Sequence, residues 1–399
     1  MNFDAYHRAT NAIGHSALTN SKRISAFVKG VSPSHATKGS GAFIWDSEGK
    51  KYLDFICALG SNLFGYSNPY ITKTIFQHIS EGLTLSLSSM VEIEAAEKLK
   101  EAQPFIDKVR FLKTGTEACM ASLRIARSHT GRRRVLQDSS YNGWSDELIT
   151  NVSVGNGVNE SSFISKLESL DQITDEIACV IMEPIITKYD EERIAYLKAI
   201  KEKCNQTGTL LIFDETITGF RWPSFSFSRH SGISPDILLL GKCIGGGLPL
   251  SAICLVKKEL DKTDWFVSST FAGEMLSLHA FIEVMRLLTQ TLKIQDLWDK
   301  GLDMIQRFNQ IYPEKISIEG YGTRGVFKGD ELVFALFMQE CHKAGILIGA
   351  SFFLNFANID YKEQTLSTFQ DILIRIKLGQ VKLEGEMPKK PISMKARGN

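Results

Sequence analysis

A chain of 399 residues that is 43% hydrophobic can bury a large core, and its length alone implies two or three domains. Lys+Arg 46 against Asp+Glu 45 leaves a formal net charge of +1, so no overall field argues for a nucleic-acid or membrane partner. The seven cysteines are scattered, odd in number and never spaced C-x-x-C; with no apolar signal core at the start and no apolar run of about 18 residues, the expectation is a cytoplasmic protein with reduced thiols and no zinc ribbon.

The apolar stretches 41–45 and 51–55 flank Asp46-Ser47-Glu48-Gly49, which predicts a hairpin closed by an Asx/Gly turn. From about residue 70 helices alternate with short apolar strands. Helical periodicity over 91–102 precedes a strand at 109–112, and a helix over 116–129 precedes a strand near 135–137. A helix is expected over 163–170. Then come a strand at 177–182, a helix over 190–206 and apolar runs at 210–214, 237–240 and 252–256. Runs that are continuous rather than alternating predict strands covered on both faces, hence an α/β fold with a mostly parallel sheet. A long helix over 274–290 leads into mixed elements around 332–349 and 364–377, a smaller α+β unit. The run Arg132-Arg133-Arg134 reads as a solvated helix end, and the proline-bearing basic stretch from Pro388 as a disordered tail.

Two places carry chemistry. Lys242 stands between the apolar run 237–240 and Gly245-Gly246-Gly247, where partial desolvation lowers an amine pKa and permits Schiff-base formation at neutral pH. Asp214 closes the apolar run that begins at Leu210, and ligands bind at such strand ends in parallel sheets. A carboxylate and a lysine so placed suit a pyridoxal phosphate enzyme, the first for the pyridinium nitrogen and the second for the Schiff base. Taken singly, a surface lysine and a helix-capping carboxylate are the commoner readings of such residues. Thr114-Gly115-Thr116, before a helix with Ala118, Ala121, Leu123 and Ala126 as apolar positions, predicts an anion site at a helix start, compatible with a plain threonine N-cap. Glu215 reads as structural. His230 and His279 lack a second ligand at metal spacing, so no metal is assigned.

These motifs resemble the class III aminotransferases and, within them, the glutamate-1-semialdehyde aminomutase subgroup. The DE-x-x-TGFR pattern falls at 214–221 and GK-x-IGGGLP at 241–249. Gly115-Thr116-Glu117-Ala118 with Arg124 and Arg127, Tyr141-Asn142-Gly143-Trp144, Met182-Glu183-Pro184 and Ser269-Thr270 follow the family's order. The resemblance implies a fold type I pyridoxal-phosphate transferase. Residues 1–60 would join a C-terminal small domain (291–380) around a large cofactor-binding domain (61–290), with 381–399 as the tail. It implies pyridoxal 5′-phosphate as cofactor, Lys242, Asp214 and Tyr141 as catalytic residues, and Gly115, Thr116, Tyr141, Glu183, Asp214, Thr216, Lys242 and Thr270 as its contacts. Tyr141 would stack on the pyridine face. Thr270 would reach the phosphate of the neighbouring subunit, which makes the expected partner a second copy in a homodimer with shared sites. The implied activity is amino transfer from a donor such as glutamate to a carbonyl acceptor; aminomutation, decarboxylation or epimerisation on the same scaffold is the alternative.

The chain also departs from the subgroup. Lys188 holds the place of an asparagine that bonds the cofactor's phenolic oxygen, and Asn142 replaces the histidine of a YHG segment. The glycine- and proline-rich gate after that segment is largely missing. A carboxylate-binding arginine near the N-terminus has Ser25 at its place, with Arg23 displaced by two. A shorter gate without that clamp suggests an open mouth and a bulky acceptor, such as a sugar, nucleotide-linked or carrier-linked carbonyl.

Overall fold

The computed structural model describes residues 3–138, 145, 148 and 163–389. They form two compact units, one from Pro69 to Gln295 and one built from the chain on either side of it.

In the flanking unit, strands Phe43–Asp46 and Lys51–Asp54 pair antiparallel as the hairpin expected from the sequence. Asp46 makes its turn: Oδ1 accepts from the N–H of Glu48 and of Lys50, each at 2.9 Å. Strand Ile346–Leu347 runs parallel to Lys51–Asp54, so the N- and C-terminal parts of the chain share one four-stranded sheet. A three-stranded antiparallel sheet, Ile316–Tyr321, Arg324–Gly329 and Ser351–Phe353, packs its phenylalanines with those of helices Glu331–Lys343 and Lys362–Lys377; Phe337 and Phe369 meet edge to face at 4.9 Å. Residues 381–389, expected as the start of a disordered tail, are instead bonded. Lys29 pairs with Glu386, and Gln339 with the carbonyl of Lys382 and the N–H of Glu384. Residues 390–399 lie outside the described residues.

The unit Pro69–Gln295 holds a seven-stranded sheet in the order Lys108–Leu112, Ser251–Leu255, Ile237–Leu240, Leu210–Glu215, Ile177–Met182, Arg134–Asp138, Ile164–Leu167. Pairings from Ile237–Leu240 outward to Ile164–Leu167 are parallel, and Ser251–Leu255 is antiparallel to both its neighbours. Every residue of Ile177–Met182 and of Ile237–Leu240 is buried, the pattern of strands with helices on both faces. The helix expected over 163–170 is instead the edge strand Ile164–Leu167. Buried Ile164 and Leu167 stand three apart, a spacing that a helix and a short irregular strand share. Among the described residues no helix is long and apolar enough to cross a membrane.

Candidate active site

The parallel strands Leu210–Glu215 and Ile237–Leu240 end side by side, with Asp214 opposite Leu239 and Glu215 opposite Leu240. Asp214 and Lys242 therefore both stand at the carboxyl edge of the sheet, on adjacent strand ends, although 28 residues (242 − 214) separate them in the chain. Lys242 opens the short 3₁₀ turn Lys242–Gly245 with a φ of 49°. A non-glycine residue held in the left-handed region costs of order 1 kcal/mol or more and persists only where its surroundings fix it, as functional sites do. The Asp214 carboxylate is half-buried; Oδ1 accepts from the N–H of Thr216 at 2.9 Å, and Oδ2 from the thiol of Cys119 at 3.4 Å. The adjacent Glu215 is fully buried and serves the framework. It accepts from the N–H groups of Phe227 and Ser228 and the Ser228 hydroxyl at 2.7, 2.9 and 2.6 Å, capping helix Phe227–Ser231. Burial pushes its carboxyl above the usual range, against these donors.

Three motifs distant in sequence converge on Thr216. A Cβ built on Gly115 would lie 2.9 Å from Thr216 Cγ2, and so would one built on Gly241. Glycine at both places lets the start of helix Gly115–Thr130 and the residue before Lys242 close on that side chain. The Thr216 hydroxyl is buried and has no hydrogen-bond partner among the described residues. Beside it the helix start is strongly capped: Thr114 Oγ1 accepts from the N–H of Glu117 at 3.2 Å, and the Glu117 carboxylate accepts from the N–H of Thr114 at 2.8 Å. Burial opposes ionisation of Glu117, yet donors from Thr114, Ser269 and Lys113 hold its carboxyl below its ordinary value. The first N–H groups of the helix, at Gly115 and Thr116, have no carbonyl within the helix to bond.

The remaining expected residues are distributed differently. Glu183 follows strand Ile177–Met182, and its carbonyl accepts from Arg193 Nη2 at 3.2 Å. The same guanidinium bonds the carbonyl of Pro184 at 2.9 Å and Asp138 at 3.1 Å, which ties two neighbouring strand ends together. Sequence reading missed Arg193; its only signal was a cation in the first turn of a helix, a place the helix dipole disfavours. Cys119, in the sequence only one of seven scattered thiols, is the donor to the Asp214 carboxylate. Thr270 is exposed, while its neighbour Ser269 donates to Glu117 Oε1 at 3.0 Å, so the segment lies against the start of helix Gly115–Thr130. Lys188 is exposed. Tyr141 and Asn142 lie outside the described residues.

A sheet of this order, carrying these residues at its carboxyl strand ends, is that of a fold type I pyridoxal-phosphate enzyme. The chain belongs to the aminotransferase class III family, whose model matches residues 26–151 and 146–352. It is accordingly a pyridoxal-phosphate-dependent aminotransferase. Three solved structures share the fold. The FumI protein of Sphingopyxis sp. MTA144, in its PLP internal aldimine form, is 21% identical with a TM-score of 0.87 over 98% of this chain and 99% of that one. An omega-transaminase from Sphaerobacter thermophilus is 22% identical (TM-score 0.82; 94% and 97% covered). A glutamate-1-semialdehyde aminomutase from Pseudomonas aeruginosa PAO1 in complex with PMP is 18% identical (TM-score 0.81; 95% and 94% covered). The geometry suits the cofactor, since the orphaned Thr216 hydroxyl beside a helix N-terminus is a polar atom that a phosphate would satisfy.

Proposed function

We propose that this enzyme moves an amino group from a donor such as glutamate to a bulky carbonyl acceptor, using Lys242 as the amine that holds the cofactor and Asp214 as its ring-nitrogen partner. The observation that carries this reading is the placing of those two residues at the carboxyl ends of adjacent parallel strands. When bound, pyridoxal phosphate supplies an aldehyde that condenses with amines and a protonated ring that accepts electrons. Asp214 keeps the proton on the ring nitrogen. Lys242 Nζ would hold the cofactor and serve as the group that carries a proton to and from the reacting carbons. The N–H groups of Gly115 and Thr116 and the hydroxyl of Thr216 would hold the phosphate, and Glu183 would border the cofactor from the strand end that Arg193 braces; the family resemblance gives Tyr141 the role of covering the ring face.

A homodimer is part of the proposal, with Thr270 reaching the partner's phosphate. It is supported by the exposure of Leu85, Leu87, Met90, Phe266 and Phe271, side chains that a second copy would cover. A cytoplasmic location fits seven buried cysteines, all unbridged. The bulky acceptor rests on the shortened gate and the missing arginine.

Borohydride treatment of the holoprotein followed by peptide mapping should place the reduced cofactor on Lys242, and label elsewhere overturns the assignment. A donor screen that follows conversion to the amine form of the cofactor, and its reversal by bulky aldehydes, tests the reaction. Efficient isomerisation of glutamate-1-semialdehyde without a donor would favour the aminomutase reading instead.

A further inference from the structure

Helices Pro69–His78 and Met275–Gln290, which pack against the glycine turn after Lys242, bring two histidines face to face. The rings of His78 and His279 lie 3.6 Å apart between centroids and 7° from parallel. Glu81, in the turn Ile79–Glu81 just beyond the first helix, sets Oε2 2.9 Å from His78 Nδ1 and 3.8 Å from His279 Nε2. All three ligand atoms fall within 4.8 Å of one another. His279 Nε2 is shielded from solvent and has no hydrogen-bond partner among the described residues. Nothing local in the chain marks this cluster, because His78 and Glu81 stand some 200 positions from His279.

We propose that His78, Glu81 and His279 form a divalent transition-metal site, suited to Zn²⁺, that ties the end of helix Pro69–His78 to helix Met275–Gln290. Two imidazole nitrogens and one carboxylate oxygen are a zinc donor set, and three protein ligands leave the fourth position to water. Ligand atoms around a tetrahedral zinc with bonds of about 2.0–2.1 Å are roughly 3.4 Å apart, so Glu81 already stands at that range from both histidines. Parallel rings cannot both aim a lone pair at one ion, so binding turns one imidazole about its Cβ–Cγ bond, a torsion with a broad minimum. His78, the last residue of its helix with a side chain 30% exposed, is placed to turn. Burial and the neighbouring His78 oppose a charge on His279, and Glu81, Glu94 and Glu274 offset part of that cost; the nearby Lys113 ammonium is paired with Glu274. A bound ion would fix the turn from which the segment bearing Leu83, Leu85 and Leu87 departs.

The test uses tag-free holoprotein stripped with a chelator and dialysed. Equilibrium dialysis with Zn²⁺ alone should show one ion per chain, and Co²⁺ in its place should give the intense visible bands of a tetrahedral site. Glu81→Gln and His279→Ala should each weaken binding by at least the roughly tenfold to hundredfold that loss of even a supporting residue costs at such sites. Glu81 is exposed at the surface, so its replacement leaves the fold intact even if His279→Ala does not fold. Absence of saturable binding overturns the proposal. So does binding that survives Glu81→Gln unchanged, which would place the ion elsewhere, on the cofactor for example.

Discussion

The thiol of Cys119 lies 3.4 Å from Asp214 Oδ2, on the oxygen opposite the one that receives the N–H of Thr216. Cys119 projects from helix Gly115–Thr130 and Asp214 from the neighbouring strand, so this contact sets the plane of the carboxylate from a second element. A thiol is a weak donor, and a single hydrogen bond to a charged acceptor contributes about 1 kcal/mol or somewhat more. Cys119→Ala should therefore lower turnover by roughly fivefold to tenfold, and Cys119→Ser, which keeps a rotatable donor, should recover most of the loss. Equal rates in all three proteins would show that the contact does not orient Asp214.

Gly115 and Gly241 both press on Thr216 Cγ2, which makes a second test available. Gly115→Ala puts a methyl group within 2.9 Å of that carbon, so the helix start or Thr216 must shift. If the two together hold the cofactor phosphate, the alanine variant should bind pyridoxal phosphate at least about tenfold more weakly, the equivalent of one hydrogen bond to a charged group. Thr216→Val removes the orphaned hydroxyl at nearly constant volume and should weaken cofactor binding by a similar factor. Titration of the apoprotein, read by the visible band, measures both; unaltered affinity in Thr216→Val would separate the hydroxyl from the phosphate.

How far this site could be read from the chain alone depends on which interactions were local. The apolar runs ending at Asp214 and Leu240 announce buried parallel strands, and the glycines after Lys242 announce a turn, because strand burial and turn chemistry leave their mark within a few residues. The convergence of Gly115, Thr216 and Gly241 leaves no such mark. Each glycine there answers to a side chain elsewhere in the chain, and only the fold brings them together. Arg193 was invisible for the same reason: its guanidinium joins Asp138 to the Glu183–Pro184 turn across the strand ends. The strand Ile164–Leu167 was misread because four residues with two buried positions three apart do not define a period.

His342 gives the molecule an acid-sensitive point far from the candidate active site in sequence. Its ring is fully buried against the Ser32 hydroxyl at 2.7 Å and the carbonyl of Ile348 at 3.0 Å, and burial lowers its pKa from 6.5 to about 4. A histidine whose folded pKa is depressed takes up its proton more readily when unfolded. Its contribution is therefore fully present above pH about 6.5 and is lost progressively as the pH falls towards about 4, by an amount on the order of 3 kcal/mol. Urea midpoints measured at pH 7 and pH 4.5 should drop more for the wild type than for His342→Gln. Parallel pH dependence in the two proteins would assign acid sensitivity to other groups.

The last prediction concerns the proposed sharing of sites between subunits. Thr270 is exposed in a single chain, whereas its neighbour Ser269 is fastened to Glu117 at the start of helix Gly115–Thr130. An exposed threonine beside the helix start proposed to hold the phosphate is placed to serve a second copy, and the exposed Phe266 and Phe271 in the same segment supply apolar area for such a contact. If so, Thr270→Ala should weaken cofactor binding, with the loss felt in the partner's site. Unfolding and refolding a mixture of Lys242→Ala and Thr270→Ala chains should yield hybrid dimers in which one of the two sites has both an intact Lys242 and an intact Thr270. Those hybrids should be more active than either parent. A protein that sediments as a monomer at assay concentrations, or a mixture no more active than its parents, would leave each site built from one chain.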